Sequence, residues 1–448
     1  MSTLEENAMT RLLSRHTMKM LCGLLAFALL WPQAAVGGEL RAAAVKVDVT
    51  PETPQMLLGY AARRSTGVHD RIHHRIAVLD DGSTTFVLVS SEFCVMSPTQ
   101  YDAVAKRLKA EQGIDRVNFW WTLTHTHSAP EVGPPGLPEA FMGGRYQHRY
   151  DEEYTAFVEQ SLLDGVAKAR AELKAARLGV GWGFSMANIN RRAREVDGRT
   201  TLGMNPDGPV DRRIGLIRID NADGTPLAVI ANYAMHGTVL GAENLLISGD
   251  GPGVVSTYVE EHVGAPMLYV NGAAGNIAPI YSVYPSPRAG HLSQFQALLG
   301  DRILDAYAKT KTERSEVTLR TDEITVETAR RPGLKWPEYL GDYTRADAEG
   351  NGSVLLPVRF LGIDDDVAIW GAPLELFCEI SNDVRDRSPF PFTYYFGYTN
   401  GWLGYLLTAD EIPYGGYETR VSPFTEAAEA DLREAVLSHL HGSMRSAR

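Results

Sequence analysis

VNFWWTLTHTHSAP, residues 117–130, is an apolar, aromatic-rich run that stops at two histidines and a proline. A short unbroken run of this kind reads as a strand buried on both faces, and Pro130 helps to end it. His125 and His127 are two apart at its end, so in extended chain they project the same way. The pattern of an apolar run closed by a polar residue and a tight turn recurs in LAVIANYAMHG (227–237), MLYVNGAAGN (267–276) and VAIWGAPLE (367–375). Further strand-like runs lie at 44–49, 76–79 and 85–89. Helical patterns occupy 97–112, 154–173, 253–262, 292–311 and 426–440, the last two with apolar residues three and four apart. Strands interleaved with helices predict an α/β fold, a mixed central β-sheet flanked by helices with a site at the strand ends. The stretch 181–226, rich in Arg, Gly, Asn and Asp, reads as excursion loops over the core, and 331–352 as a second surface excursion. With no linker or repeat between them, these segments predict one domain over 39–448.

The chain has 448 residues, 44% hydrophobic and 22% charged, with a formal charge of −12. No basic block offsets that charge, which excludes non-specific nucleic-acid binding. Arg11, Arg15 and Lys19 precede the apolar run MLCGLLAFALLW (20–31) and the small-residue tail PQAAVGGE. This reads as a signal peptide over 1–38 and predicts export, periplasmic or secreted. The run is short for a bilayer span, and Cys22 opens it instead of closing it, which argues against a lipoprotein. Three cysteines are too few for a disulfide scaffold. Export leaves Cys94 and Cys378, either bridged or held as two buried thiols.

Chemistry is concentrated at the strand ends. Imidazole is the commonest metal ligand near neutral pH, so His125 and His127 suit a metal, or else a hydrogen-bonded pair in a polar turn. His236 is a third ligand or a satisfied core histidine. Ser248 or Asp250 in ISGDGPG (247–253) can cap the following helix. The glycines of NGAAGN (271–276) let backbone approach a ligand closely or simply make a tight turn. Glu375 is a ligand, a base or a helix cap. Two or three histidines and a carboxylate at converging strand ends suit a hydrolytic zinc site with a position open to water. From the residues alone this reaches a metal-assisted hydrolase.

Taken together, VKVDVTP (45–51), LGY (58–60), GVHD (67–70), THTHSAP (124–130), NINR (188–191), His236, ISGD (247–250), NGAAGNIAP (271–279), PLE (373–375) and GYTNGWLGYLLTADE (397–411) with GYE (416–418) resemble the catalytic domain of the neutral (non-lysosomal) ceramidases. The resemblance runs in order across nearly the whole chain after the leader. It implies Zn2+ bound by His125, His236, Glu375 and Tyr405. His127 would stand beside it as an acid/base or orienting group, Arg191 would stabilise an oxyanion, and Tyr417 falls on a further pocket tyrosine. The implied activity is hydrolysis of an N-acyl amide in a ceramide-like lipid by zinc-activated water, with transient membrane-surface contact. One departure stands out: the family's serine in the GNxSP phrase is Ala278 here. That removes a serine nucleophile at this position and puts ceramide itself in doubt as the substrate. The alternatives are a zinc-dependent esterase or lactonase and a non-catalytic lipid-binding relative.

Overall fold

In the computed structural model, residues 37–143, 149–282, 291–346 and 352–446 are described, and the leader reading lies outside them except for Gly37 and Gly38. Gly38 pairs in a short ladder with Val317. Gly37–Arg448 forms one compact unit.

The chain enters through β1 (Arg41–Asp48), β2 (His73–Asp80), β3 (Thr85–Ser91), α1 (Pro98–Gln112), β4 (Phe119–Leu123) and α2 (Glu152–Ala171). It continues with β5 (Lys174–Phe184), β6 (Asn188–Arg194), β7 (Thr200–Asn205), β8 (Arg213–Asn221), β9 (Pro226–Tyr233), α3 (Asp250–Val263), β10 (Met267–Asn271), β11 (Ile277–Pro279) and α4 (Asp301–Lys309). The last third holds β12 (Leu319–Ala329), β13 (Gly352–Ile363), β14 (Val367–Gly371), β15 (Glu375–Leu376), α5 (Cys378–Arg387), β16 (Phe392–Phe396), β17 (Tyr405–Leu406) and α6 (Ala427–Ser446).

An eight-stranded sheet runs β10-β9-β8-β5-β1-β2-β3-β4, and a second sheet runs β12-β13-β14-β16. Both are mixed. The parallel neighbours are β3 with β4, β9 with β10, and β14 with β16. The period-two alternation of β8 explains the layering. Ile217 and Ile219 face Leu361, Ile363 and Ile369 of the second sheet. Ile214 and Leu216 face Val255, Val259 and Ile303 of α3 and α4. The other half of the large sheet buries Ile76, Val87 and Trp121 in the cluster that holds Leu108 of α1 and Leu162 of α2. The outer face of the second sheet puts Val358 and Trp370 in that cluster with Leu432 and Val436 of α6. The result is four layers, helix, sheet, sheet, helix. Because the strands are apolar on both faces, truncating a residue such as Ile230 to alanine is expected to cost about 2–5 kcal/mol.

The mixed sheet flanked by helices agrees with the sequence, but two features differ. A second sheet covers one face of the first. Residues 181–226 are not excursion loops: they carry the end of β5, all of β6, β7 and β8, and the start of β9. The glycines that suggested loops make one face of β5 smooth. A Cβ at Gly179 would stand 2.1 Å from the Lys311 carbonyl oxygen, and one at Gly183 2.9 Å from the Ala306 side chain, so α4 and the chain after it lie directly on the strand. Cys94 and Cys378 are both free and buried. Among the described residues no helix is long and apolar enough to cross a membrane.

Candidate metal centre

The three parallel pairs aim their carboxyl ends at one place. His125 follows β4, His236 follows β9, and Glu375 follows β14. Glu375 and Tyr405 are register partners in the two-residue parallel ladder of β15 and β17. The His125 and His236 turns are joined by a bridge between Thr126 and Gly237, in which the His127 N–H donates to the Gly237 carbonyl at 2.8 Å. A Cβ at Gly237 would meet the His125 carbonyl oxygen at 2.6 Å, so the glycine after His236 is what lets the two turns touch. Gly275 does the same for β15, since a Cβ there would lie 2.6 Å from the Glu375 carbonyl oxygen. His125 itself has φ +65°, a left-handed conformation uncommon for a residue with a Cβ and held here by its N–H bond to the Phe93 carbonyl.

One Glu375 oxygen, Oε2, is 3.2 Å from His125 Nε2 and 3.0 Å from His236 Nε2. His127 Nε2 lies 3.2 Å from His125 Nε2, and the Tyr405 hydroxyl lies 3.4 Å from His236 Nε2. The outer ring nitrogens are tied back. His125 Nδ1 pairs with the Cys94 carbonyl at 2.9 Å and His236 Nδ1 with the Ile277 carbonyl at 3.0 Å. A carbonyl only accepts, so Nδ1 carries a proton in each ring, and a neutral ring then turns its Nε2 lone pair inward. Trp402 Nε1 donates to Glu375 Oε1 at 2.9 Å, and the Tyr398 ring stacks on His125 at 4.2 Å. His125, His236 and Glu375 offer ligand atoms within 4.8 Å of one another, all buried.

The electrostatics fit a cation. Burial alone would raise the Glu375 pKa, but the His125 charge and its hydrogen bond hold it well below the usual carboxylate range. Burial likewise opposes charge on His125, yet Glu375 pushes its pKa up to about 10. His236 is held down at about 3 by burial and Arg191. Burial and the neighbouring His125 keep His127 well below its ordinary value. The carboxylate thus demands a positive charge, which a shared proton or a divalent ion can supply, and neutral imidazoles are the ligand form. Two imidazoles and a carboxylate, with a phenol beside them, are an N/O donor set of the kind that divalent metal ions take.

Arg191, on β6, is buried beside this cluster. Its Nη2 donates to the Tyr405 hydroxyl at 3.0 Å and to the Gly275 carbonyl at 2.9 Å, and its Nε to Glu418 at 3.0 Å. Three of its five N–H donors are thereby spent, which leaves Nη1. Tyr417 meets the Tyr405 ring edge-on at 5.8 Å. Ala278 is buried on β11, opposite Ile189 of β6. The structure therefore brings His125, His127, Arg191, His236, Glu375, Tyr405 and Tyr417 together.

Residues 42–280, more than half of the chain, match the family profile described as neutral/alkaline non-lysosomal ceramidase, N-terminal. The chain belongs to this family. Its relatives include the neutral ceramidase of Pseudomonas aeruginosa, 26% identical over 258 residues, 54% of this chain and 37% of that protein. Neutral ceramidase A of Dictyostelium discoideum is 29% identical over 238 residues, 48% of this chain and 31% of that protein. The matched stretches thus span only about a third of these curated ceramidases. The fold is that of the solved Pseudomonas aeruginosa neutral ceramidase, with a TM-score of 0.72 at 19% identity over 91% of this chain and 75% of that one. A structure described as ceramidase complexed with C2 superposes with a TM-score of 0.73 at 18% identity.

Three residues around the cluster had no role assigned from the sequence. Tyr398 and Trp402 lie inside the GYTNGWLGYLLTADE phrase, where aromatic residues give no sign of which faces the carboxylate. Glu418 ends the GYE phrase; it is fully buried and takes Arg191 on one oxygen and Arg192 on the other. A signal existed in the adjacent arginines of NINRR (188–192), which need a buried counter-charge.

Proposed function

We propose that the protein is an exported, zinc-dependent amidohydrolase that cleaves the amide bond of an N-acyl lipid. The observation that carries this reading is the convergence of His125 Nε2, His236 Nε2, Glu375 Oε2 and the Tyr405 hydroxyl at three strand ends in a chain of the ceramidase family. Those four side chains would hold the metal. A zinc ion there supplies water of pKa about 7 and a positive charge for a carbonyl oxygen.

The remaining work falls to the protein. Water adds its oxygen to the acyl carbon, the C–N bond breaks, and the amine leaves with a proton. His127 faces His125 through Nε2, and its buried Nδ1 has no partner among the described residues. It is the group placed to pass that proton to nitrogen. Arg191, fixed by Glu418 and Gly275, keeps Nη1 for the oxygen that gains negative charge. Tyr417 closes the far side of Tyr405. An open groove of about 700 Å3 lies where Glu195, Val196, Asp197, Arg199, Tyr414 and Arg420 meet. Its exposed Val196 and Tyr414 suit a transient contact with a lipid surface. Export is read from residues 1–38.

Ala278 favours a second reading of the substrate, an N-acyl amide other than ceramide, because a methyl replaces the family's hydroxyl. The test compares ceramide, a simple N-acyl amide and the ester of the same acyl chain, with protein as purified, chelator-treated and zinc-restored. Amide hydrolysis that disappears on chelation and returns with zinc is expected. Turnover indifferent to chelation, or confined to the ester, would overturn the proposal.

A further inference from the structure

Asn271 closes β10 and is fully buried, and its side chain touches both histidine-bearing turns. Nδ2 donates to the Thr124 carbonyl at 3.1 Å, immediately before His125, and to the Met235 carbonyl at 2.9 Å, immediately before His236. Oδ1 accepts the Met235 N–H at 3.1 Å. The Asn271 backbone carbonyl accepts the Gly397 N–H at 2.8 Å, immediately before Tyr398, which stacks on His125. Both amide donors and the acceptor are thus used, on three turns that meet at the metal centre. The Thr126–Gly237 bridge ties the two histidine turns beyond the ligands, and Asn271 ties them before the ligands.

We propose that Asn271 is a positioning residue that sets the distance between His125 and His236 and so the affinity of the site for its metal. The proposal rests on the metal reading above. Groups that orient ligands from outside typically contribute 10–100-fold in metal affinity. Asn271 does so through the backbone, because without it the Thr124 carbonyl and both Met235 backbone groups lose buried partners and the two turns relax independently.

Asn232 provides the control. Its Nδ2 also donates to two carbonyls, Val270 at 3.1 Å and Tyr395 at 2.9 Å, but it bonds to no ligand-bearing turn. Asn271→Asp keeps the acceptor for Met235 and sets an oxygen against two carbonyls; Asn271→Ser is a milder truncation that keeps the test open if the aspartate variant fails to fold. Zinc affinity is read by competition with a chromogenic chelator. Hydrogen exchange over 121–128 and 233–239 is read on metal-free protein. The Asn271 variants are expected to bind zinc about 10–100-fold more weakly and to exchange faster in both segments, whereas Asn232→Ala does neither. Wild-type affinity and unchanged exchange in folded Asn271→Ser would overturn the proposal. Should the wild type bind no zinc, the metal reading fails, and exchange alone decides whether Asn271 couples the two turns.

Discussion

Glu92, at the end of β3, and Glu375, at the end of β14, are both buried carboxylates, but their partners differ in kind. Glu92 accepts Arg75 Nη1 at 2.8 Å and the His73 N–H at 2.7 Å. Arg75 also reaches Glu260 at 2.6 Å, and Lys46 reaches the same Glu260 at 2.7 Å. Two carboxylates are thus matched by two permanent cations, and the network neutralises itself. Glu375 faces His125, His236, the Trp402 indole and the Tyr398 phenol. None of these carries a fixed charge. A buried network with permanent cations is closed, whereas one whose positive charge is a titratable proton on an imidazole can exchange that proton for an ion.

Neutralising each carboxylate in turn should separate the two networks. Glu375→Gln is expected to abolish zinc retention and amide turnover while the protein still unfolds cooperatively. Glu92→Gln is expected to do the reverse, costing about 2–3 kcal/mol of stability because it leaves Arg75 and Lys46 with Glu260 alone, with zinc content unchanged by elemental analysis. If Glu92→Gln also loses zinc, the two regions are not separable in the way described.

Acid titration sharpens the same contrast. Burial would raise the Glu92 pKa, but Arg75 and His73 bring it from 4.5 to about 2. A depressed folded-state pKa contributes stability that is fully present above the unfolded value and is lost as pH falls through the folded one. The stability difference between wild type and Glu92→Gln should therefore be constant above pH 5 and shrink by roughly 3 kcal/mol between pH 4.5 and about 2. Denaturant melts across that range measure it; a pH-independent difference would show that Glu92 acts by packing alone.

Arg191→Ala tests the boundary between the two kinds of charge, since Arg191 is a permanent cation that touches Tyr405. Zinc should stay, and kcat should fall on the order of a hundred-fold or more, with Arg191→Lys recovering part of it. Unchanged kcat would leave Arg191 as no more than the partner of Glu418. The smallest change is Ala278→Ser, which returns one hydroxyl beside the Ile277 carbonyl that holds His236. A neutral hydrogen bond is worth about 0.5–1.5 kcal/mol, so ceramide turnover should rise about two- to tenfold relative to simple amides. A rise of several orders of magnitude would instead make the serine a nucleophile.

Much of this was legible in the sequence because buried parallel strands are written as unbroken apolar runs, and the polar residues just past each run sit at a strand end. FWWTLTHTH, LAVIANYAMHG and VAIWGAPLE could be read that way, and their polar endings do meet. The region 181–226 could not. Gly179, Gly181 and Gly183 alternate like a strand, yet glycine there serves contact with α4 and the chain just after it and carries no apolar signal. The arginines of β6 looked like surface because Glu411 and Glu418, their counter-charges, lie more than 200 residues away. The second sheet was missed for a related reason: in TDEITVET (321–328) polar residues alternate with apolar ones and do not form a run. Asn271 was visible as the first residue of a glycine turn, but only the three-dimensional approach of Thr124 and Met235 shows what its amide is for.

On the proposed reading, Glu375 and its imidazoles hold a metal. Elemental analysis of the purified chain, paired with anomalous diffraction at the zinc edge, tests it most directly. About one zinc per chain is predicted, with its peak among His125 Nε2, His236 Nε2, Glu375 and the Tyr405 hydroxyl. A protein that hydrolyses amides with no stoichiometric metal, or a zinc peak elsewhere with this cluster closed around a proton, would show that these side chains hold no metal.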